Sequence, residues 1–479
     1  MKLKLAAICG VSWLVLGGAA FAQEQEDPRD ALIRQLAERL DVLERQLADQ
    51  KEASSADAAD IRTLVGAVPV TIANGRPQVA SADGESRFAV RGLIQFDGAA
   101  YNELTDATTD LSNGLNFRRA RLGVEGTLNK VWNYNLTGEF GGSGTESAVL
   151  NQAWVEYAGW KPFGLVNPLR VRLGAWATPV NLEDGSNNTE SLFLERPAAA
   201  ELTRSIAAGD GRAGAGLFAN GDTWYTHAVL TGNVVAGAKA EFDEQAGWLA
   251  RAAWIPSRSP DHAIHLGVNA SGVFEPADTA AGSPTIKVLR LRERPELRVD
   301  ATRLVDTGDI ASDGLLQTGV EFGAFYKNLY VAAEAFKFDI DRSAAGVPNA
   351  SFSGWYAQGS WTITGEKRAW VNTTGGFQGV RPTKTFNPSA DGWGAWEIAA
   401  RHSVLDLNHN EGVAGAVRPA TAVRGGEQHI TTLGLNWYPN RTVRFLLDYQ
   451  LVEIDRLNNA GLQIGEDFQV LSGRAQVAF

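Results

Sequence analysis

The chain has 479 residues, with 44 Lys and Arg against 55 Asp and Glu and a formal net charge of −11, which makes nucleic acid a poor partner. Cysteine occurs once, at Cys9, so a disulfide framework or a thiolate metal site within one chain is excluded. The 51 glycines and 14 tryptophans suit a many-stranded sheet with aromatic strand ends.

Residues 1–22 read as a cleaved signal peptide. Lys2 and Lys4 form a short positive start, Leu5 to Ala19 is almost unbroken apolar sequence, and Ala20-Phe21-Ala22 offers small residues where a signal peptidase reads. Residues 23–53 read as helix. Ile33, Leu36, Leu40, Leu43 and Leu47 follow a 3-4-3-4 spacing and share one seam, as in a short coiled coil between subunits. Packing of that seam on its own barrel or on the membrane surface is the alternative. Residues 54–86 lose this period, gain Ala, Asp, Gly and Pro, and are expected to be a linker.

From 87 to 479 the period becomes two. Trp132, Tyr134, Leu136 and Phe140 alternate with Asn133, Asn135, Thr137 and Glu139. Leu169, Val171, Leu173 and Ala175 alternate with Arg170, Arg172, Gly174 and Trp176. Val443, Phe445, Leu447 and Tyr449 alternate with Arg444, Leu446, Asp448 and Gln450. Each set takes one face of a strand, one greasy and one wet. After residue 22 no apolar stretch approaches 20 residues, so the backbone could cross a membrane only as a closed barrel. Strands of about 10 residues with short turns and longer loops give about sixteen of them, enough to surround a water-filled channel. The last strand puts Leu471, Gly473, Ala475, Val477 and the terminal Phe479 on its apolar face, opposite Ser472, Arg474 and Gln476. The fold class expected is therefore an all-β, transmembrane, antiparallel β-barrel of about 16 strands with a short N-terminal helical coiled-coil segment.

Arg290, Arg292, Arg294 and Arg298 share one parity, so in an extended segment they project to one side about 6 to 7 Å apart per two-residue step. Such a ladder repels itself unless water and mobile anions screen it, which suits an anion path. Neutralisation of a solvated stretch by Glu293 and Glu296 is the alternative. Arg119 shares its face with Arg121 and Glu125 and is expected to face the lumen, whereas Arg118 has the outward parity.

Four segments resemble the phosphate-selective porin O and P family: Phe117 to Gly126 (FRRARLGVEG), Gly354 to Arg368 (GWYAQGSWTITGEKR), Gly394 to Ser403 (GAWEIAARHS) and Thr432 to Asn440 (TLGLNWYPN). The resemblance runs from about Phe88 to Phe479. It implies a trimer of 16-stranded barrels with no required cofactor, whose loops fold inward to narrow the pore. It also implies that Arg290, Arg292, Arg294 and Arg298 form the family's arginine ladder and that Arg118 and Arg119 contribute to the constriction. The terminal Phe479 looks like the signal read by the outer-membrane assembly machinery. The inward loop is expected within Thr178 to Gly211, with Glu183, Asp184, Glu195, Arg196 and Arg204 as candidates. Asp184 departs from the family pattern, because the phosphate-specific members place a lysine there, and a carboxylate repels phosphate. Asn133, Asn151 and Leu93 likewise stand where those members are basic.

The function expected is passive diffusion of small anionic or polar solutes, phosphate or polyphosphate among them, by a homotrimer held in outer-membrane lipids. A porin for neutral nutrients such as sugars and a structural outer-membrane or cell-wall tether are the alternatives. An enzyme is not expected: the six histidines are scattered, no Gly-x-Ser-x-Gly lies near them, and His262 with His265 reads as a surface loop without a third metal ligand.

Overall fold

The computed structural model describes residues 38–52, 55, 70–73, 75–104, 109–142, 150–187, 189–235, 243–278 and 287–479. They belong to two units, Met1–Ala67 and Val68–Phe479. In the first, residues 38–52 form helix α1, on which Leu40, Leu43 and Leu47 are exposed. Ile33, Leu36 and the segment 1–22 lie outside the described residues. No helix among the described residues is long and apolar enough to cross a membrane.

The second unit is a closed antiparallel barrel of 16 strands. They are β1 Arg87–Glu103, β2 Gly114–Leu128, β3 Trp132–Glu139, β4 Leu150–Trp160, β5 Leu169–Trp176, β6 Arg212–Asn220, β7 Trp224–Val234 and β8 Ala246–Ser259. The other half comprises β9 His262–Glu275, β10 Ile310–Tyr326, β11 Leu329–Arg342, β12 Ala350–Thr362, β13 Ala395–His409, β14 Val423–Tyr438, β15 Val443–Asp455 and β16 Asp467–Ala478. Closure comes from β16 pairing with β1, with Leu471 opposite Ala100 and Val477 opposite Ile94. The terminal Phe479 extends this seam: its N–H donates to the Gly92 carbonyl and its carbonyl accepts from the Gly92 N–H, both at 2.9 Å. Its ring occupies the space a Cβ at Gly92 would need. Part of the expected linker is instead a hairpin, Val70–Ala73 with Arg76–Ala80, added to β1 through Gln78, Val79 and Ala80.

Polarity runs opposite to that of a soluble protein. Leu230 is 63% exposed and Leu433 57%, while Arg251 is 1% and Glu397 0% exposed. The apolar outside suits lipid, and the polar groups inside answer one another or water. At the turn end of the wall, cross-strand pairs set aromatics side by side: Trp224 opposite Trp254, Trp396 opposite Trp437, and Trp437 opposite Phe445. The Trp132 and Tyr157 rings lie 4.8 Å apart on the same rim. This is the aromatic girdle of a membrane barrel.

Among the described residues, three connections place segments in the lumen. The first, 177–211 between β5 and β6, carries the short helices α2 (Leu182–Gly185) and α3 (Ala198–Ala207). The second lies between β9 and β10, where Leu291, Leu297 and Val305 pack in one cluster with Leu194, Leu202 and Ile206. The third, 363–394 between β12 and β13, comes from the end where the other connections are short. It contains the hairpin Ala369–Val371 with Gly376–Gln378. By the usual orientation of such barrels, that end faces the periplasm.

Candidate functional site

The first inward loop is fastened to the wall by charge. Glu334 on β11 accepts from the N–H groups of Leu182 at 2.8 Å and Glu183 at 3.1 Å, and from the Tyr356 hydroxyl at 2.6 Å. The Glu183 carboxylate accepts from Gln358 at 2.8 Å. Further along, Asp448 accepts from the Leu194 N–H at 2.8 Å and Asn436 donates to the Leu192 carbonyl at 2.9 Å. Glu195 sits where the charges are densest. Arg118 grips it at 2.8 and 3.2 Å, and Arg474, itself doubly bonded to Asp97 at 2.6 Å, reaches it at 2.8 Å. Burial, the strongest single influence, opposes ionisation of Glu195, yet Arg118, Arg119, Arg474 and Arg298 together hold its carboxyl well below the usual range.

Arg118 and Arg119 therefore both face inward, although alternation gives Arg118 the outward parity. A β-bulge explains the difference: Gln95 pairs with Arg119 and Phe96 with Phe117, which leaves Arg118 without an opposite residue. The extra residue lets neighbouring side chains turn to the same face. Arg118 meets Glu195, while Arg119 donates to Gln95 at 2.6 Å.

Asp184 is also engaged. Arg196 lies 2.7 Å and Arg204 3.2 Å from one of its oxygens, so its charge is answered within the loop. Arg204 continues to Asp210 at 2.6 Å, and Asp210 to Arg121 on the wall at 2.7 Å. Glu201 is held at about 2: burial opposes this most strongly, and Arg204, Arg196 and Arg298 overcome it. The candidates Glu183, Asp184, Glu195, Arg196 and Arg204 are thus brought together in one loop, as parts of a network that fixes its shape.

The expected ladder is placed differently. Only Val288–Leu289 and Arg292–Glu293 are extended, and the chain turns at Glu296, whose φ is +56°. Arg290 and Arg292 are exposed; Arg294 and Arg298 are buried. Arg290 bonds Asp306, Arg294 donates to the Ala301 carbonyl at 3.0 Å, and Arg298 reaches Glu201 at 3.0 Å. Glu296 crosses to β13, where Arg401 and Ser403 donate to it. The four arginines divide between the mouth and the interior because the segment bends onto α3.

The third segment is one the alternation gave no reason to single out. Arg251 on β8, doubly bonded to Glu321 at 2.8 Å, donates to the carbonyls of Thr374 at 2.9 Å and Gly375 at 2.6 Å. Gly375 has φ +62°, and a Cβ there would lie 2.6 Å from the Tyr225 ring, so only glycine fits. Phe377 packs edge-on to Tyr330 at 5.1 Å. His265 is in β9, facing the lumen and not in a surface loop; its Nε2 meets Glu321 at 3.0 Å, and Trp370 donates to its Nδ1 at 3.3 Å. His262 lies beside the β8–β9 turn, against Ser257 and Ser259.

Between these segments and the wall remains a cavity of about 930 Å³. Its lining includes eleven arginines, among them Arg76, Arg87, Arg121, Arg170, Arg172 and Arg444, and four carboxylates, Glu125, Asp184, Glu190 and Asp210. Among the described residues, Arg170 and Arg444 have no carboxylate partner: their bonds go to carbonyls and to Asn220 and Asn436. This is a positively charged passage lined largely by polar side chains.

A family model described as "Phosphate-selective porin O and P" matches residues 88–479. The chain belongs to this family. It is an outer-membrane porin. Porin O of Pseudomonas aeruginosa is 25% identical over 427 residues, 85% of this chain and 92% of that protein. Among solved structures, an anion-selective porin from Comamonas acidovorans is 14% identical, covering 82% of this chain and 100% of its own, with a TM-score of 0.49. OmpT of Vibrio cholerae in its trimer form is 10% identical, covering 82% and 99%, with a TM-score of 0.45.

Proposed function

We propose that this porin passes small anions by passive diffusion, drawn by the excess of fixed positive charge in its lumen. The observation that carries the reading is the cavity lining, eleven arginines against four acidic side chains and the terminal residue Phe479. Arginine cannot be deprotonated in this setting, so the excess persists at any physiological pH. Specific capture of phosphate is not part of the reading: Asp184 occupies the position where the resemblance expects a lysine, and Asn133, Asn151 and Leu93 add no charge. Arg290 and Arg292 act as a collar at the outer mouth, supported by their exposure, with Arg290 damped by Asp306 and Asp309. Arg294 and Arg298 serve the same path from within, by holding the second inward segment.

The protein works without catalysis or cofactor, as a homotrimer in outer-membrane lipids. The family resemblance supports the trimer, and so does the seam of Ile33, Leu36, Leu40, Leu43 and Leu47, of which Leu40, Leu43 and Leu47 are exposed on α1. Residues 1–22 direct export, and the Phe479 strand end presents itself to the assembly machinery. Purified protein in a planar bilayer under a potassium chloride gradient tests the central claim. Discrete steps with a reversal potential on the chloride side are expected. A potassium-side potential overturns the anion reading, and the lack of any steps overturns the channel reading.

A further inference from the structure

On the lumen face of β4, β5 and β6, rings and guanidinium groups alternate. The Arg172 guanidinium lies 4.0 Å from the Trp154 ring centroid on one side and 4.9 Å from that of Phe218 on another. Arg170, two residues back on the same strand face, lies 5.7 Å from Phe218. The order is therefore Trp154, Arg172, Phe218, Arg170, and the last member borders the cavity. The two arginines differ in charge state of their surroundings. Arg172 is matched by Glu156 at 2.7 Å. Arg170 has no carboxylate; its Nη2 makes bonds of 3.4 Å to Asn220 and 3.2 Å to the Thr373 carbonyl, and its Nε is buried without an acceptor.

Resting on the anion-channel reading, we infer that this wall is a binding site for aromatic carboxylates. The chemistry follows from the parts. A guanidinium that ends a stack offers its plane to a further ring, an interaction worth about 0.5 to 1 kcal/mol where water has access. Its edge offers N–H donors to a carboxylate. Phe218, itself buried, backs the Arg170 guanidinium from the wall side. A compact anion such as acetate can use only the edge, so the wall discriminates by the plane of the solute. The neighbouring arginines Arg121 and Arg444 bring any anion in without distinguishing its shape.

The experiment is current block in planar bilayers, with benzoate, cyclohexanecarboxylate and acetate each titrated against a chloride current. Benzoate is expected to half-block at a concentration about two- to fivefold below the other two. In Arg170→Lys, which keeps a cation but loses the plane, and in Phe218→Leu, which keeps apolar bulk, the ratio of benzoate to acetate half-block is expected to approach one. Reading that ratio within each variant cancels changes in the current itself. Equal block by benzoate and cyclohexanecarboxylate, or a ratio unchanged in both variants, overturns the aromatic site while leaving an anion channel. A cation-selective or silent pore defeats the underlying reading instead.

Discussion

At the scale of single residues, the lumen is organised by arginines held in place, and the pH behaviour of the constriction follows. Glu201 is held at about 2 against an ordinary glutamate near 4.3, so its ion pairs stabilise the inward loop fully above about pH 4.3 and fade as the pH falls through 2. Glu195 and Asp210 are displaced in the same direction, Glu195 by the four arginines around it and Asp210 by Arg204 and Arg121, each overcoming burial. These three carboxylates therefore add no inflection between pH 7 and pH 5, and Glu201→Gln is expected to leave the form of the reversal-potential profile over that range unchanged. A profile between pH 5 and 7 whose form changes in Glu201→Gln would mean that Glu201 titrates there and is not held down by these pairs. Arg119 facing the lumen was legible from alternation. Arg118 was not, because a bulge adds one residue to one strand and shifts its parity, and nothing in the order of residues marks where that occurs.

At the scale of elements, the barrel strands are the most legible part, since every second residue declares its solvent. The segments that fill the lumen follow other rules. The loop within 178–211 was expected through its likeness to a family, and its contacts rest on partners up to 287 positions away, such as Gln476 donating to the Thr189 carbonyl. The Arg290 to Arg298 stretch misled because parity predicts one face only while the chain stays extended, and here it turns at Glu296. The hairpin Ala369–Val371 with Gly376–Gln378 went unread because it is short and its stabilising partners, Arg251 and Tyr330, lie on other strands. Phe377 is 1% exposed and is the hairpin's chief anchor. Phe377→Ala removes packing worth about 3 kcal/mol, close to what so small an element can lose while staying seated. The expected result is a larger, noisier single-channel conductance with an unchanged β-sheet signal by circular dichroism. Conductance equal to that of the parent would mean that the hairpin lies beside the path and does not narrow it.

At the scale of the whole molecule, the inverted polarity and the closure of β16 on β1 separate two jobs. The outer face is spent on lipid, and the inner face holds the charge balance. The overall charge of −11 says nothing about selectivity, because the cavity lining has the opposite sign. Fixed charge around water acts over a Debye length, about 10 Å at 0.1 M salt and about 3 Å at 1 M. If diffuse attraction sets the preference, raising potassium chloride from 0.1 M to 1 M screens the far arginines and leaves only those an ion passes closely. Chloride preference is then expected to fall steadily over that range while conductance keeps rising nearly in proportion to salt. A pore governed by one tight chloride site would behave in the opposite way, its conductance levelling off at low salt while its preference stayed high. The two curves, measured on the same bilayer, decide between an electrostatic funnel and a binding trap; Asp184 answered by Arg196 and Arg204, with Arg170 and Arg444 left unmatched by any carboxylate, favours the funnel.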